Sequence, residues 1–173
     1  SMDFAAETRE KMMLTVKAIL EKWIGKYTDL TLNFSGEINC HHNYAALENH
    51  RGKEVWVHRK GAVEAKNGQR AVIPGAMGSY SYVVMGLGNE ESFCSSSHGA
   101  GRRYSRKGAM EAFRCEEVIL DLERQGVVLG KKGKADVAEE SRFAYKDIEE
   151  VMENQKDLVI PLKRLKTIGV VKG

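Results

Sequence analysis

The chain holds one helical period from Asp3 to Ile24 and abandons it after Gly25. Met13, Val16, Leu20 and Trp23 recur three and four residues apart, on one face of a helix that Asp3 can cap and Gly25 can end. Residues 30–34, 54–58, 70–73 and 80–85 are then short runs rich in β-branched and aromatic side chains, parted by turn signals such as Asn67-Gly68 and Pro74-Gly75. Small residues at 93–101 predict a loop, with helices expected over 105–113, 116–124 and 145–155. A strand and basic turn are expected over 126–133, and a closing pair of strands over 158–165 and 167–171. No repeat or low-complexity linker interrupts the run. The pattern predicts one α+β unit of mixed short strands and helices.

With 173 residues, the chain is long enough for one domain with a real core. A net charge of +3 excludes a surface coated in positive charge, so any nucleic-acid site must be a local cluster. Cys40, Cys94 and Cys115 are odd in number and lack CxxC spacing, which argues for a reducing compartment. With no signal peptide and no apolar run of bilayer length, a cytoplasmic location is expected. Ser1-Met2 reads as a cloning remnant.

The chemistry concentrates in a few segments. In Ser97-His98-Gly99-Ala100-Gly101-Arg102, the glycines let backbone N–H groups approach a phosphate. Arg102 and Arg106 are four apart, one helical turn if the loop runs straight into the helix, so the helix start becomes an anion site. A neutral imidazole held there can attack phosphorus and form a phosphoramidate. A glycine-rich turn before a solvated basic helix is the alternative left open by spacing. Cys40-His41-His42-Asn43-Tyr44 offers imidazole ligands, but a complete metal site needs three or four protein ligands. Either any co-ligands lie outside this chain or the histidines belong to a polar turn. His58-Arg59-Lys60 reads as a solvated strand end or a phosphate contact.

Taken in order, Cys-His-His-Asn-Tyr at 40–44, His-Arg-Lys-Gly-Ala at 58–62, Pro-Gly-Ala-Met-Gly at 74–78 and Gly-Leu-Gly-Asn-Glu-Glu-Ser-Phe at 86–93 resemble the RtcB family of RNA-splicing ligases. Ser-His-Gly-Ala-Gly-Arg at 97–102, Ala-Tyr-Lys-Asp at 144–147 and Val-Lys-Gly at 171–173 extend the resemblance over nearly the whole chain, in a bacterial style. It implies an RtcB-like catalytic fold. It also implies a ligase that uses GTP and Mn²⁺ to guanylylate a histidine, passes GMP to an RNA 3′-phosphate, and joins that end to a 5′-hydroxyl. A 2′,3′-cyclic phosphate is opened first. By motif, His98 is the nucleophile and His42 a manganese ligand, with His41 structural. Lys60, Arg102 and Arg106 resemble RNA or nucleotide phosphate contacts. Ser81, Gly99, Ala100, Gly101 and Tyr145 resemble the GMP pocket, and Lys172 looks like the guanine-reading lysine. RNA is the implied partner, and an accessory protein of the archease type is a candidate second one.

There are departures from the family pattern. Ala76 stands where the family carries a hydroxyl, and Arg142 where it often has proline. The resemblance also implies that residues 1–173 are the carboxy-terminal part of a single catalytic domain. The amino-terminal part, with an aspartate, a cysteine and further histidines for the metals, is then missing, and the chain alone is expected to be inactive. A non-catalytic nucleotide-binding paralogue and one half of a split ligase are the alternatives.

Overall fold

The computed structural model describes residues 2–130 and 137–171. Lys131, Lys132 and Gly133, the end of the anticipated basic turn, lie outside them, as does Lys172. The architecture is α+β: four helices and nine short strands, distributed over four small sheets, among the described residues. No described helix is long and apolar enough to cross a membrane.

Helix α1 spans Met2–Tyr27. Met13, Val16, Leu20 and Trp23 are all exposed on it, as are Met12 and Ile19 along the edge of that face and Leu14 on the far side. Polar tethers connect the helix to the segment that follows. Arg9 Nε donates to Asn39 Oδ1 at 2.6 Å, and Lys17 pairs with Glu37 at 2.8 Å while lying over the Phe34 ring. That segment, residues 28–42, is irregular, so the strand expected over 30–34 does not form. Its β-rich composition finds no partner strand, and an unpaired run leaves its backbone groups to water.

The hairpin of β1 (Asn43–His50) and β2 (Lys53–Lys60) turns at Arg51-Gly52, both at positive φ. Strand β3 (Ala62–Glu64) pairs with β6 (Ser95–Ser97), so part of the anticipated 93–101 loop is a strand. Strands β4 (Arg70–Ile73), β5 (Ser81–Gly86) and β8 (Val159–Leu165) form an antiparallel sheet in that order. Along β5 every second residue is buried, the two-residue period of a strand with one covered face. Tyr82 and Val84 face Ile73 and Ala71 across the β4–β5 ladder and enter the main core with Val63, Ile148 and Val159. The β5–β8 register shifts between Val83 and Val84, beside Pro161, whose missing N–H suits a bulge.

Helices α2 (Arg106–Ala112), α3 (Cys115–Arg124) and α4 (Ile148–Glu153) are shorter than α1. Helix α3 buries Val118 and Leu122 at one-turn spacing. It stops at Gly126 (φ 72°), where Val127 N–H reaches Leu122 O at 2.9 Å and Gly126 N–H reaches Glu123 O at 2.9 Å, a Schellman closure. Helix α4 begins only at Ile148, because Asp147 caps Glu149 N–H at 2.9 Å and Tyr145 is drawn into a bridge with Arg102. The last strands do not pair with each other: β8 joins β5, and β9 (Gly169–Val171) runs parallel to β7 (Val128–Gly130). A second core packs Met77, Val118, Leu122, Val127 and Val137. Residues 73–77 cross from one core to the other, with Ile73 in the first and Met77 in the second.

Candidate active site

His98 follows β6 directly. Its N–H bonds Gly61 O at 3.4 Å, and its Nδ1–Cε1 edge lies against Gly61, whose φ of 72° requires glycine. The β2–β3 corner thus forms the floor under this imidazole. His42, one residue before β1, stacks beside it with ring centroids 5.5 Å apart and planes 21° from parallel. The two histidines, 56 positions apart, are brought together because β1 pairs β2 and β3 pairs β6. Burial first, then the neighbouring His98, pull the His42 pKa below the ordinary histidine value, which keeps its ring neutral with a lone pair free. His41 Nδ1 meets Arg9 Nη2 at 3.3 Å, and its ring sits edge-on to Tyr44, a supporting position.

After His98 the backbone is held close. Ala100 is buried and donates to Pro74 O at 3.1 Å, so that N–H is already satisfied. A Cβ on Gly99 would stand 3.0 Å from the same carbonyl, and Gly101 (φ 72°) makes the turn toward Arg102. Pro74 opens a turn in which Gly75 N–H donates to Ser81 Oγ at 3.2 Å. Beside it lies a groove of about 380 Å³ lined by Gly75, Ala76, Met77, Ser81, Glu140, Thr167, Val170 and Val171. Ala76, at the position of the family's hydroxyl, contributes only a methyl to it.

Arg102 is not free to meet a phosphate in this arrangement. Its guanidinium donates to Tyr145 Oη at 2.8 Å, to Tyr104 O at 3.0 Å and to Glu139 O, lies 3.5 Å from Glu140, and stacks over the Tyr145 ring. Tyr145 in turn donates to Glu140, and burial followed by that carboxylate pushes its pKa up to about 12. Helix α2 starts at Arg106, so Arg102 and Arg106 do not share a helical turn as the spacing suggested. Arg106 and Lys60 are exposed, at the start of α2 and the end of β2.

Arg59 overturns the reading of 58–60 as a solvated cationic strand end. Only 2% exposed, it donates to Ser95 Oγ at 3.0 Å, Tyr44 Oη at 3.2 Å, Phe93 O at 2.9 Å and both carboxylate oxygens of Glu48. The alternation of exposed and buried positions along β2 was the signal for it: Val57 and Arg59 point inward, His58 and Lys60 outward. Arg142, in the family's proline position, holds Asp121 through two bonds of 2.8 Å.

A family model described as tRNA-splicing ligase RtcB matches residues 1–173. The chain is 45% identical over 174 residues to the RNA-splicing ligase RtcB of Escherichia coli K12, an alignment covering 98% of this chain and 41% of that protein. It is 42% identical over 156 residues to the tRNA-splicing ligase RtcB of Methanopyrus kandleri, covering 76% of this chain and 16% of that one. Against the tRNA-splicing ligase RtcB of Nanoarchaeum equitans it is 33% identical, over 99% of this chain and 40% of the relative. The chain therefore spans well under half the length of these relatives. A match over every residue, with 45% identity to a curated member, places the chain in the RtcB family of tRNA-splicing ligases.

Proposed function

We propose that this chain supplies the nucleophile-bearing, carboxy-terminal portion of an RNA ligase that joins 3′-phosphate or 2′,3′-cyclic phosphate ends to 5′-hydroxyl ends, with GTP as the activating nucleotide and Mn²⁺ as the metal. The observation that carries the reading is the placement of His98. It is seated on a glycine floor, flanked by a neutral-favouring His42, and followed by backbone that leads to the groove of Ser81 and Val171. Its imidazole nitrogen attacks the α-phosphorus of GTP: the P–N bond forms, the α–β bridging bond breaks, and pyrophosphate leaves. RNA 3′-phosphate oxygen then takes the guanylyl group from His98. The 5′-hydroxyl attacks the activated end, and GMP departs. Splitting activation from joining divides one difficult displacement into easier ones.

For the metal, His42 fits as one neutral imidazole ligand with His98 adjacent. Mn²⁺ bound there supplies charge neutralisation on the transferring phosphoryl group. A single imidazole leaves most coordination positions to groups beyond His42. The Arg102–Tyr145–Glu140 network fixes Glu140 in the groove wall, and Lys60 and Arg106 present exposed cations to an RNA backbone. Lys172, which follows Val171 in sequence, is the lysine assigned to the O6 and N7 acceptors of guanine, which a donor-only ammonium suits.

The test joins this chain with the amino-terminal region of an RtcB relative and adds radiolabelled GTP and Mn²⁺. The expected outcome is an acid-labile, base-stable label on His98 and ligation of 3′-phosphate ends, both lost in His98→Ala. Labelling that persists in that variant refutes the assignment.

A further inference from the structure

We propose that His50, Glu90 and Cys94 form a second divalent-cation site, of the zinc class, at the far end of the β1–β2 hairpin from His42. Strand β1 separates the two places by eight residues, roughly 25 Å of extended chain. The ligand atoms of the three side chains all lie within 4.8 Å of one another. His50 Nδ1 is 3.0 Å from Glu90 Oε2, and Cys94 Sγ is 3.8 Å from Glu90 Oε1. Zinc bonds of about 2.0–2.3 Å at tetrahedral angles set ligand atoms roughly 3.3–3.6 Å apart, so the three side chains close on a cation with shifts of about an ångström.

The surroundings orient this set as a metal site requires. The Glu48 carboxylate lies 3.0 Å from His50 Nε2, and its other contacts fix it to the buried Arg59 guanidinium. A carboxylate accepting from Nε2–H selects the tautomer whose Nδ1 lone pair points at Glu90 and Cys94, the carboxylate–histidine–metal relation of many zinc sites. His50 and Cys94 are both buried, at 6% and 7% exposure. Phe93 and Cys94 hold φ of 52° and 49°, and Cys94 N–H is fixed to Asn89 O at 2.8 Å, so the thiol is presented by a backbone with little freedom. Glu90 is the exposed member, on the lip of a cleft of about 410 Å³ that gives ion and water access. One thiolate, one imidazole and one carboxylate suit Zn²⁺ or Co²⁺; Mg²⁺ and Ca²⁺ prefer all-oxygen shells.

The metal-free arrangement is self-consistent. Both ring nitrogens of His50 then face carboxylates, which raises its pKa, and burial followed by Glu90 raises that of the Cys94 thiol. The cation competes with protons for His50 Nδ1 and Cys94 Sγ, so binding releases protons and weakens as pH falls.

The experiment uses the purified chain, stripped with a chelator and titrated with Co²⁺. The expected result is one thiolate-to-cobalt charge-transfer band per chain, displaced by Zn²⁺, absent in Cys94→Ser and retained in Cys40→Ser and His42→Ala. Glu90→Ala lies on an exposed turn and leaves the fold intact; its Co²⁺ affinity is expected to fall at least about tenfold. A wild-type chain without the band, a band that survives Cys94→Ser, or unchanged affinity in Glu90→Ala would each overturn the proposal. The His98 labelling reaction is independent of all these outcomes.

Discussion

Replacing Glu48 with Gln keeps the shape of the side chain and removes the carboxylate that pairs with the buried Arg59. An arginine left unpaired at 2% exposure is a costly defect, in the range of about 3–5 kcal/mol for breaking a buried pair. Titration gives a second route to the magnitude. Arg59, and after it His50, hold the Glu48 pKa at about 2 against an ordinary 4.5. At 1.36 kcal/mol per pH unit, that shift is worth about 3 kcal/mol. The folded pKa is depressed, so this stability is present above pH 4.5 and is lost as pH falls toward 2. Urea denaturation of wild type and Glu48→Gln, with chelator present, measures the difference. His50 stays protonated at pH 5.5 and below, so the comparison there isolates Glu48. The expected gap is about 3 kcal/mol at pH 5.5, of which about 2 kcal/mol is gone at pH 3. A gap below about 1 kcal/mol, the value of an exposed ion pair, or one that does not shrink on acidification, refutes the reasoning.

Two glycines separate steric from conformational cost. A Cβ on Gly86 would fall 2.4 Å from the Ala65 carbonyl carbon and from Lys66 O, so Gly86→Ala is expected to unfold the chain or cost more than about 3 kcal/mol. Gly101→Ala meets nothing within 4 Å and is expected to cost only the left-handed strain, about 1–2 kcal/mol, by the same denaturation assay. In an ultraviolet alkaline titration, Tyr82 and Tyr145 are expected to ionise near pH 12, because burial and the carboxylates of Glu149 and Glu140 oppose their charge. Their raised folded pKa values contribute stability below pH 10 that is lost as pH climbs toward 12, and Tyr82→Phe and Tyr145→Phe each remove part of the late step. A single transition shared by all six tyrosines contradicts both placements.

Strand β4 was readable to the residue, because Arg70–Ile73 is a β-branched run bounded by turns, and the bounds of α3 were nearly so, 116–124 against Cys115–Arg124. Strand β1 escaped because Asn43–His50 alternates weakly, with Asn, Glu and Ala where strand formers are expected. The run at 30–34 misled in the opposite direction: strand composition does not supply a partner strand. In the candidate site, motif order singled out His42 and His98, and their stacking is a product of long-range sheet pairing. The Glu48–Arg59 pair and the His50–Glu90–Cys94 cluster were invisible in the sequence. The pair joins side chains 11 positions apart and the cluster brings His50 to Glu90 and Cys94 across 40 and 44 positions, and nothing in local spacing reports which hairpin face each occupies.

Residues 73–77 pass from one packed core to the other, and the groove lined by Ser81 and Val171 runs along that crossing. Gly75, Ala76 and Met77 line it from the crossing itself, Ser81 from the sheet of the first core, and Val170 from a strand packed against the second. On the function proposed above, a nucleotide settling there would touch both cores at once, so its binding free energy would be drawn from both. Occupancy would then act as a clasp, since loosening either core at the crossing would cost the ligand its contacts there.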